Sequence, residues 1–572
     1  MKSAQERYEA WLNSGALSKE ETEELLAIKG NDEEIAMRFS APLTFGTGGL
    51  RGKMFTGLSG MNRFTVSHAT QGLASLILKE GRAKDGVAIG YDCRNNSALF
   101  AKTAASVLAA NGIKVYLFDA LRPTPELSFA LREYKCVAGI VITASHNPKE
   151  YNGYKAYWED GAQLPPEHAD IVCAEMDKID IFKGVKITDF EKAKAAGLIQ
   201  MLGDETDEKY LAAVEAQAVN PAAVRKVADK LKIVYTPLHG TGCKLVPTIL
   251  RRIGLTQLYT VDEQMINDGN FPTVKKPNPE YPDVFKLGID IANRVGADLV
   301  LATDPDADRV GVVTRTPDGS FTTITGNQMG ALLADYILTA YEVTGTMPPH
   351  PYMVKTIVST ELVRKICDAH KVKLHDVLTG FKFIGEVIKN YEATGDGTFL
   401  FGFEESYGYL KGTYARDKDS VVSSMLICEM TAYYADKGMT LCDALAALHK
   451  KYGFFYEKTT ELYVEGLDGS ARMAAMMEAM RKEPPKEIGG VKVVAISDYK
   501  TGLVTENGGT RPTGLPTSNV LSYRLENRDI LVVRPSGTEP KIKVYYLIEA
   551  KDEADGAEKY KRYQNEMERV FK

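Results

Sequence analysis

Residues 139–148 read Gly-Ile-Val-Ile-Thr-Ala-Ser-His-Asn-Pro, an apolar strand candidate that runs without a break into a polar loop carrying Ser145 and His146. The same junction recurs three times. Residues 298–309 read Asp-Leu-Val-Leu-Ala-Thr-Asp-Pro-Asp-Ala-Asp-Arg. Residues 398–408 read Thr-Phe-Leu-Phe-Gly-Phe-Glu-Glu-Ser-Tyr-Gly, and residues 529–540 read Asp-Ile-Leu-Val-Val-Arg-Pro-Ser-Gly-Thr-Glu-Pro. Strands buried on both faces of a sheet are written as unbroken apolar runs. Ligands collect beyond the carboxyl ends of such strands. Four loaded strand ends therefore predict four domains, each offering one loop to a shared cleft.

The surrounding sequence agrees. Val87–Ile89, Ala98–Ala110 and Lys114–Phe118 read as strand, helix and strand; Lys232–Tyr235, Val246–Ile253 and Gln257–Val261 repeat that rhythm. This is βαβ patterning. At roughly 150 residues per domain, 572 residues suggest three to five domains. The boundaries fall near 206, 322 and 452, which gives domains 1–206, 207–322, 323–452 and 453–572. The first forty residues read as charged helices and carry no chemistry.

Composition narrows the function. Hydrophobic residues make up 44% and charged residues 26%, the proportions of a globular protein with ample core. A net charge of −6 lacks the basic footprint of a nucleic-acid binder. The seven cysteines are scattered and form no Cys-x-x-Cys pair, so a reducing, cytoplasmic setting is expected rather than a disulfide framework or zinc site. The charged start MKSAQERYEAWL has no apolar signal core. No run approaches the roughly 18 apolar residues of a membrane span. Neither a nucleic acid nor a membrane is expected as partner, and oligomeric state is not legible.

Each loop has its own chemistry. Asp304, Asp306 and Asp308 alternate, so in an extended loop their carboxylates turn to one side and suit a hard cation such as Mg²⁺, Mn²⁺ or Ca²⁺. An EF-hand is excluded because Arg309 and Arg315 stand where Gly and Glu are required. A DxDx(T/V) phosphatase loop is excluded because Asp308 takes the Thr/Val place. Ser145 reads either as a phosphoryl-accepting nucleophile or as a turn cap beside Asn147-Pro148. It is not a GxSxG elbow. Lys155 reads as a cation for phosphate or a proton carrier, or as a surface lysine.

Phe45–Gly52 is rich in glycine but fits neither the Walker nor the dinucleotide template, which leaves a flexible backbone presenting Arg51 to neutralise a phosphate or a transition state, or else a plain flexible connector. Glu404 and Ser406 suit sugar hydroxyls; an acidic helix start is the alternative. Arg534, Ser536, Gly537, Thr538 and Lys541 combine a guanidinium, two hydroxyls, backbone N–H groups and an ammonium, the set that matches a phosphate monoester.

Taken together, Thr143–Pro148, Thr303–Arg309, Gly402–Gly408 and Arg534–Lys541 resemble, in order, the phosphoserine, metal, sugar and phosphate loops of the α-D-phosphohexomutase family. The likeness runs from about residue 41 to about 550, and within the family it is greatest to the longer phosphoglucomutase and phosphopentomutase branch. Phe403 departs from the family's GEES form, and Gly49 stands where many relatives have alanine.

The resemblance implies an α/β architecture of four domains. Three similar α/β domains with mixed sheets and a smaller C-terminal α+β domain would surround a central cleft. It implies interconversion of glucose 1-phosphate and glucose 6-phosphate through phospho-Ser145 and glucose 1,6-bisphosphate. Mg²⁺ would be held by the phosphoserine with Asp304, Asp306 and Asp308. Arg309, Gly380, Lys382, Glu404 and Ser406 would contact the phosphosugar, and the Arg534 loop its second phosphate. Among Lys155, His146 and Arg51, Lys155 is expected to move the proton, with a pKa lowered by neighbouring cations such as Arg51. Related activities stay open: phosphopentomutase, phosphomannomutase, glucose-1,6-bisphosphate synthase, or an inactive phosphosugar-binding protein.

Overall fold

The apolar run Val87–Tyr91 forms a strand buried along almost its whole length, and Ala138–Ile142 is buried at every position. These two pair in parallel at the centre of a six-stranded sheet. The sheet order is Gly49–Lys53, Tyr151–Trp158, Ala138–Ile142, Val87–Tyr91, Val115–Phe118, Ile199–Leu202. The last four strands run parallel, while Tyr151–Trp158 and Gly49–Lys53 are antiparallel additions at one edge. Helix Ser97–Ala110 packs Phe100, Ala101, Ala104, Ala105, Leu108 and Ala109 into the core beside the sheet. Each fully buried aliphatic side chain stabilises such a core by about 1.5–3 kcal/mol. The computed structural model describes residues 3–46, 48–464, 469–536 and 541–571.

The chain divides into two compact units. The first comprises Met1–Ile324, Gly385–Thr394 and Gly408–Gly438. Besides the six-stranded sheet it holds a five-stranded mixed sheet, ordered Phe321–Ile324, Val310–Arg315, Leu299–Thr303, Lys232–Thr236, Gln257–Thr260. Leu299–Thr303 is buried throughout and ends at Asp304. The N-terminal helices Ala4–Leu12, Lys19–Ala27 and Asp32–Phe39 enclose Tyr8, Trp11 and Phe39, as the charged helical reading of that segment expects.

The second unit comprises Thr325–Ile384, Gly395–Tyr407 and Met439–Lys572. Strand Pro351–Thr356 lies between Lys373–Val377 and Thr398–Glu404, parallel to both. Helix Gly326–Thr344 opens with a reciprocal cap between Thr325 and Gln328. An antiparallel sheet follows, in which Phe454–Tyr463, Lys541–Ala550, Ile530–Pro535, Leu521–Leu525 and Val491–Asp498 are successive neighbours. Tyr563 and Met567 of helix Glu553–Val570 are buried in its core with Tyr523 and Leu531.

Two local expectations are corrected. The glycine-rich stretch is not a flexible connector at Arg51, because Gly49–Lys53 is a strand in register with Tyr151–Lys155. Small residues there let two backbones meet closely. Arg534 lies not beyond a strand but within one, Ile530–Pro535, opposite Lys543.

Candidate active site

Ser145 leaves the strand Ala138–Ile142 in an unusual backbone state, with φ at 51°. A non-glycine residue in this left-handed region costs of order 1–3 kcal/mol unless its surroundings impose it. Here they do. The fully buried Arg94 side chain reaches the carbonyls of Ser145, Asn147, Pro148 (2.9 Å) and Tyr151 (3.1 Å). Asp92 holds Arg94 at 3.2 Å and accepts from Thr143 Oγ1 at 2.6 Å, and Thr143 Oγ1 in turn accepts from Ser145 N at 2.8 Å. One guanidinium thus gathers the carbonyls of the whole serine loop.

The Ser145 hydroxyl donates to Asp304 Oδ2 at 2.9 Å and lies 3.0 Å from His146 Nδ1. A hydroxyl has one proton, so the histidine serves this oxygen as an N–H donor. Burial, with Arg309 and Arg51 nearby, holds the His146 pKa well below its ordinary value, so the ring is neutral.

Asp304, Asp306 and Asp308 are buried, and one oxygen from each lies within 4.8 Å of the others. Burial, together with Asp306 and Asp308, pushes the Asp304 carboxyl well above the usual carboxylate range. Asp308 goes the other way: burial is outweighed by Lys155, Lys418 and Arg309. Asp306 Oδ1 and Asp308 Oδ1 are buried without a hydrogen-bond partner among the described residues. Hard, clustered, unsatisfied carboxylate oxygens are what a divalent cation of the Mg²⁺ type binds, so the residues fit such an ion.

Lys155 projects from the strand Tyr151–Trp158 to Asp306 Oδ2 at 2.7 Å and Asp308 Oδ2 at 3.1 Å. Burial alone would lower its pKa, but the two carboxylates overcome burial and raise it. The expected lowering is therefore not found in this arrangement, and the reason is position: the ammonium sits between two acids, and the cation that opposes it is Lys418 rather than Arg51. Arg51 donates to Asn147 Oδ1 at 3.2 Å, which ties it to the serine loop, and Arg309 donates to Glu280 at 2.5 Å.

Gly49 explains the placement of Arg51. Its φ is 128°, and a Cβ there would lie 1.7 Å from the Tyr154 carbonyl oxygen, so the expectation of alanine at this position in relatives is corrected: alanine does not fit this strand pairing. Gly49→Ala is expected to cost at least about 2 kcal/mol and to lower kcat/KM by moving the Arg51 strand. Thermal melting and initial rates check this, and wild-type values for both would refute it.

The remaining sequence candidates belong to the second unit. Glu404 Oε1 accepts from Gly380 N at 2.8 Å, which brings those two together; Gly380 has φ of 122°. Lys382 lies 4.9 Å above the Phe383 ring, and Ser406 is half-buried. Arg534 is half-buried in its strand opposite Lys543. Ser536 N donates to the Lys541 carbonyl at 2.8 Å, and the Lys541 ammonium pairs with Glu461 at 3.1 Å. Gly537 and Thr538 lie outside the described residues.

Sequence reasoning missed Arg94, Lys418 and Thr124. Lys418 reaches Asp308 at 3.2 Å and Asp417 at 3.0 Å. Its signal was the charged run Arg416–Asp419 set between apolar segments. For Arg94 the signal was Asp92-x-Arg94 directly after an apolar strand. Thr124 had none.

Comparison with known proteins gives the family. Models of the phosphoglucomutase/phosphomannomutase alpha/beta/alpha domains I, II and III match residues 42–182, 208–319 and 325–452. A phosphoglucomutase of Staphylococcus epidermidis is 38% identical over 515 residues, covering 90% of this chain and 92% of its own. Among solved structures, the Paramecium pp63/parafusin phosphoglucomutase superposes with TM-score 0.69 at 17% identity, over 93% of this chain and 95% of its own. A Burkholderia thailandensis phosphoglucomutase/phosphomannomutase family protein gives 0.64 at 18%, over 92% and 96%. Three consecutive domain matches and an identity of this level across nine-tenths of the chain place it in the phosphoglucomutase/phosphomannomutase family, with the four-domain fold of the phosphohexomutases.

Proposed function

We propose that this enzyme interconverts glucose 1-phosphate and glucose 6-phosphate, with Ser145 as the phosphoryl carrier and glucose 1,6-bisphosphate as the intermediate. The observation that carries the proposal is the Ser145 hydroxyl, 2.9 Å from Asp304 within a buried triad of carboxylates. Family membership supports the sugar. Asp304, Asp306 and Asp308 would hold Mg²⁺, which supplies charge neutralisation for the transferring phosphoryl oxygens.

The chain's own residues do the rest. In the first half-reaction the phosphorus–oxygen bond to Ser145 breaks and one to the free sugar hydroxyl forms. After the bisphosphate turns end for end, the other phosphoryl returns to Ser145. We assign proton transfer to Lys155: Asp306 and Asp308 raise its pKa, so neutralising them leaves burial free to lower it. His146, neutral and donating to Ser145, orients the nucleophile. Arg51 and Arg309 supply positive charge. Glu404, Ser406, Gly380 and Lys382 would bind the sugar, and Arg534, Ser536, Gly537, Thr538 and Lys541 the phosphate that is not reacting. The domain limits 1–206, 207–322, 323–452 and 453–572 belong to the same reading. So does a cytoplasmic location without a nucleic-acid or membrane partner; among the described residues no helix is long and apolar enough to cross a membrane.

Intact-mass measurement tests the reading. The protein should carry one phosphoryl group on Ser145 that disappears on incubation with an excess of unphosphorylated acceptor sugar and returns with glucose 1,6-bisphosphate. A Ser145 that never takes up phosphate would refute the reading. Comparing kcat/KM for the glucose, mannose, ribose and glucosamine 1-phosphates tests the choice of sugar.

A further inference from the structure

We infer that Thr124 is a positioning residue for Asp306 that dictates which oxygen of that carboxylate meets a cation. The inference rests on the metal reading of the triad. Three helices begin against the metal loop. Thr241 N, at the start of helix Gly242–Arg252, donates to the Pro305 carbonyl at 2.8 Å. Thr124 N, the first residue of helix Thr124–Glu133, donates to the Asp306 carbonyl at 2.8 Å. Ser420, the first residue of helix Ser420–Ala435, donates to the Ala307 carbonyl through its N–H (3.2 Å) and its hydroxyl (2.6 Å). Consecutive carbonyls are thus fixed from outside by otherwise unpaired helix N–H groups, whose partial positive charge also opposes the three acids.

The side chains sort in the same way. Each aspartate has one oxygen supplied with strong donors. Asp304 Oδ1 accepts from Asp308 N (3.1 Å) and Arg309 N (3.0 Å). Asp308 Oδ2 takes Lys155 (3.1 Å) and Lys418 (3.2 Å). Asp306 Oδ2 takes Lys155 at 2.7 Å and the Thr124 hydroxyl at 2.8 Å. What remains is Asp306 Oδ1 and Asp308 Oδ1, buried and without a hydrogen-bond partner among the described residues, and Asp304 Oδ2 beside Ser145. Thr124 reaches Asp306 Oδ2 from a fully buried position on a helix whose first N–H also holds the Asp306 carbonyl, so its hydroxyl fixes the carboxylate with Oδ2 occupied and Oδ1 left for the ion. Donors of this kind behind a metal ligand set its orientation and typically change affinity by 10–100-fold.

The test is Mn²⁺ binding to the full-length, unphosphorylated protein, read by the EPR signal of free Mn²⁺, with a melting curve for every variant. Thr124→Val keeps the shape and the backbone N–H but removes the hydroxyl, and should weaken Mn²⁺ about 10–100-fold; Thr124→Ser should restore affinity to within about threefold. Thr124→Ala gives a second removal of the hydroxyl should the valine variant fold poorly. Wild-type affinity in the folded Val or Ala variant, or a Ser variant as weak as Val, overturns the inference while leaving the metal site standing. Unweakened binding by Asp306→Asn, or no binding by the wild type, overturns the metal reading and this inference with it.

Discussion

Ser145→Ala should lower kcat by on the order of 10⁴-fold or more, because the covalent route then has no carrier for the phosphoryl group. The remaining machinery is untouched by this change: Lys155 still meets Asp306 and Asp308, and Asp304 Oδ1 keeps its two backbone donors. The fold should therefore survive with a loss of about 1–3 kcal/mol. That loss comes from Asp304 Oδ2, which loses its hydroxyl donor; the strain of a φ of 51° is borne by serine and alanine alike. Ser145→Gly separates the two effects. It is equally inactive, but glycine adopts this backbone state without strain, so it should melt higher than the alanine variant. Rates from a coupled assay and two melting curves decide the matter. Turnover near wild type in either variant removes Ser145 from the mechanism.

Lys155→Met is the second large effect expected. As the assigned proton carrier, its loss should lower kcat about 10²–10⁴-fold. The same change strands buried charge. Lys418 still pairs with Asp308, but among the described residues the Asp306 carboxylate keeps only the Thr124 hydroxyl as hydrogen-bond donor, with the Arg51 charge nearby. Removing one partner of a buried ion pair costs about 3–5 kcal/mol. A divalent cation supplies the missing charge, so the destabilisation should be large in a chelator and much smaller in excess Mg²⁺. Melting temperatures under both conditions measure this directly. An equal loss with and without Mg²⁺ would mean that the acids stabilised by Lys155 are not those that hold the ion, and an unchanged kcat would end its assignment as proton carrier.

Much of the site was legible because its parts are local. An apolar run ending in Asp304-x-Asp306-x-Asp308 announces buried acids at a strand end whatever the rest of the chain does, and Ser145 at the end of Ala138–Ile142 follows the same logic. The segment of Arg51 was read as flexible because, matching neither phosphate-loop template, its glycines had no partner in view. Gly49 is needed for a backbone approach to Tyr154, a residue about a hundred positions away, and composition does not reveal the partner. Thr124 was invisible for a related reason: in Arg-Pro-Thr-Pro it looks like an ordinary helix start, and its chemical meaning comes from Asp306, 182 residues later.

Residue type and the placing of apolar runs, both written in the sequence, put Ser145 and the three acids at the ends of buried strands, and the loop motifs carried the resemblance to the family. Tertiary structure alone decided the charge states and the orientations. Lys155 is held charged by the field of two carboxylates rather than by anything in its own neighbourhood of the chain, and burial magnifies that field because little water is present to screen it. The Asp306 oxygen left for a cation was likewise chosen by donors from two other segments, since a carboxylate has two equivalent oxygens until its surroundings distinguish them.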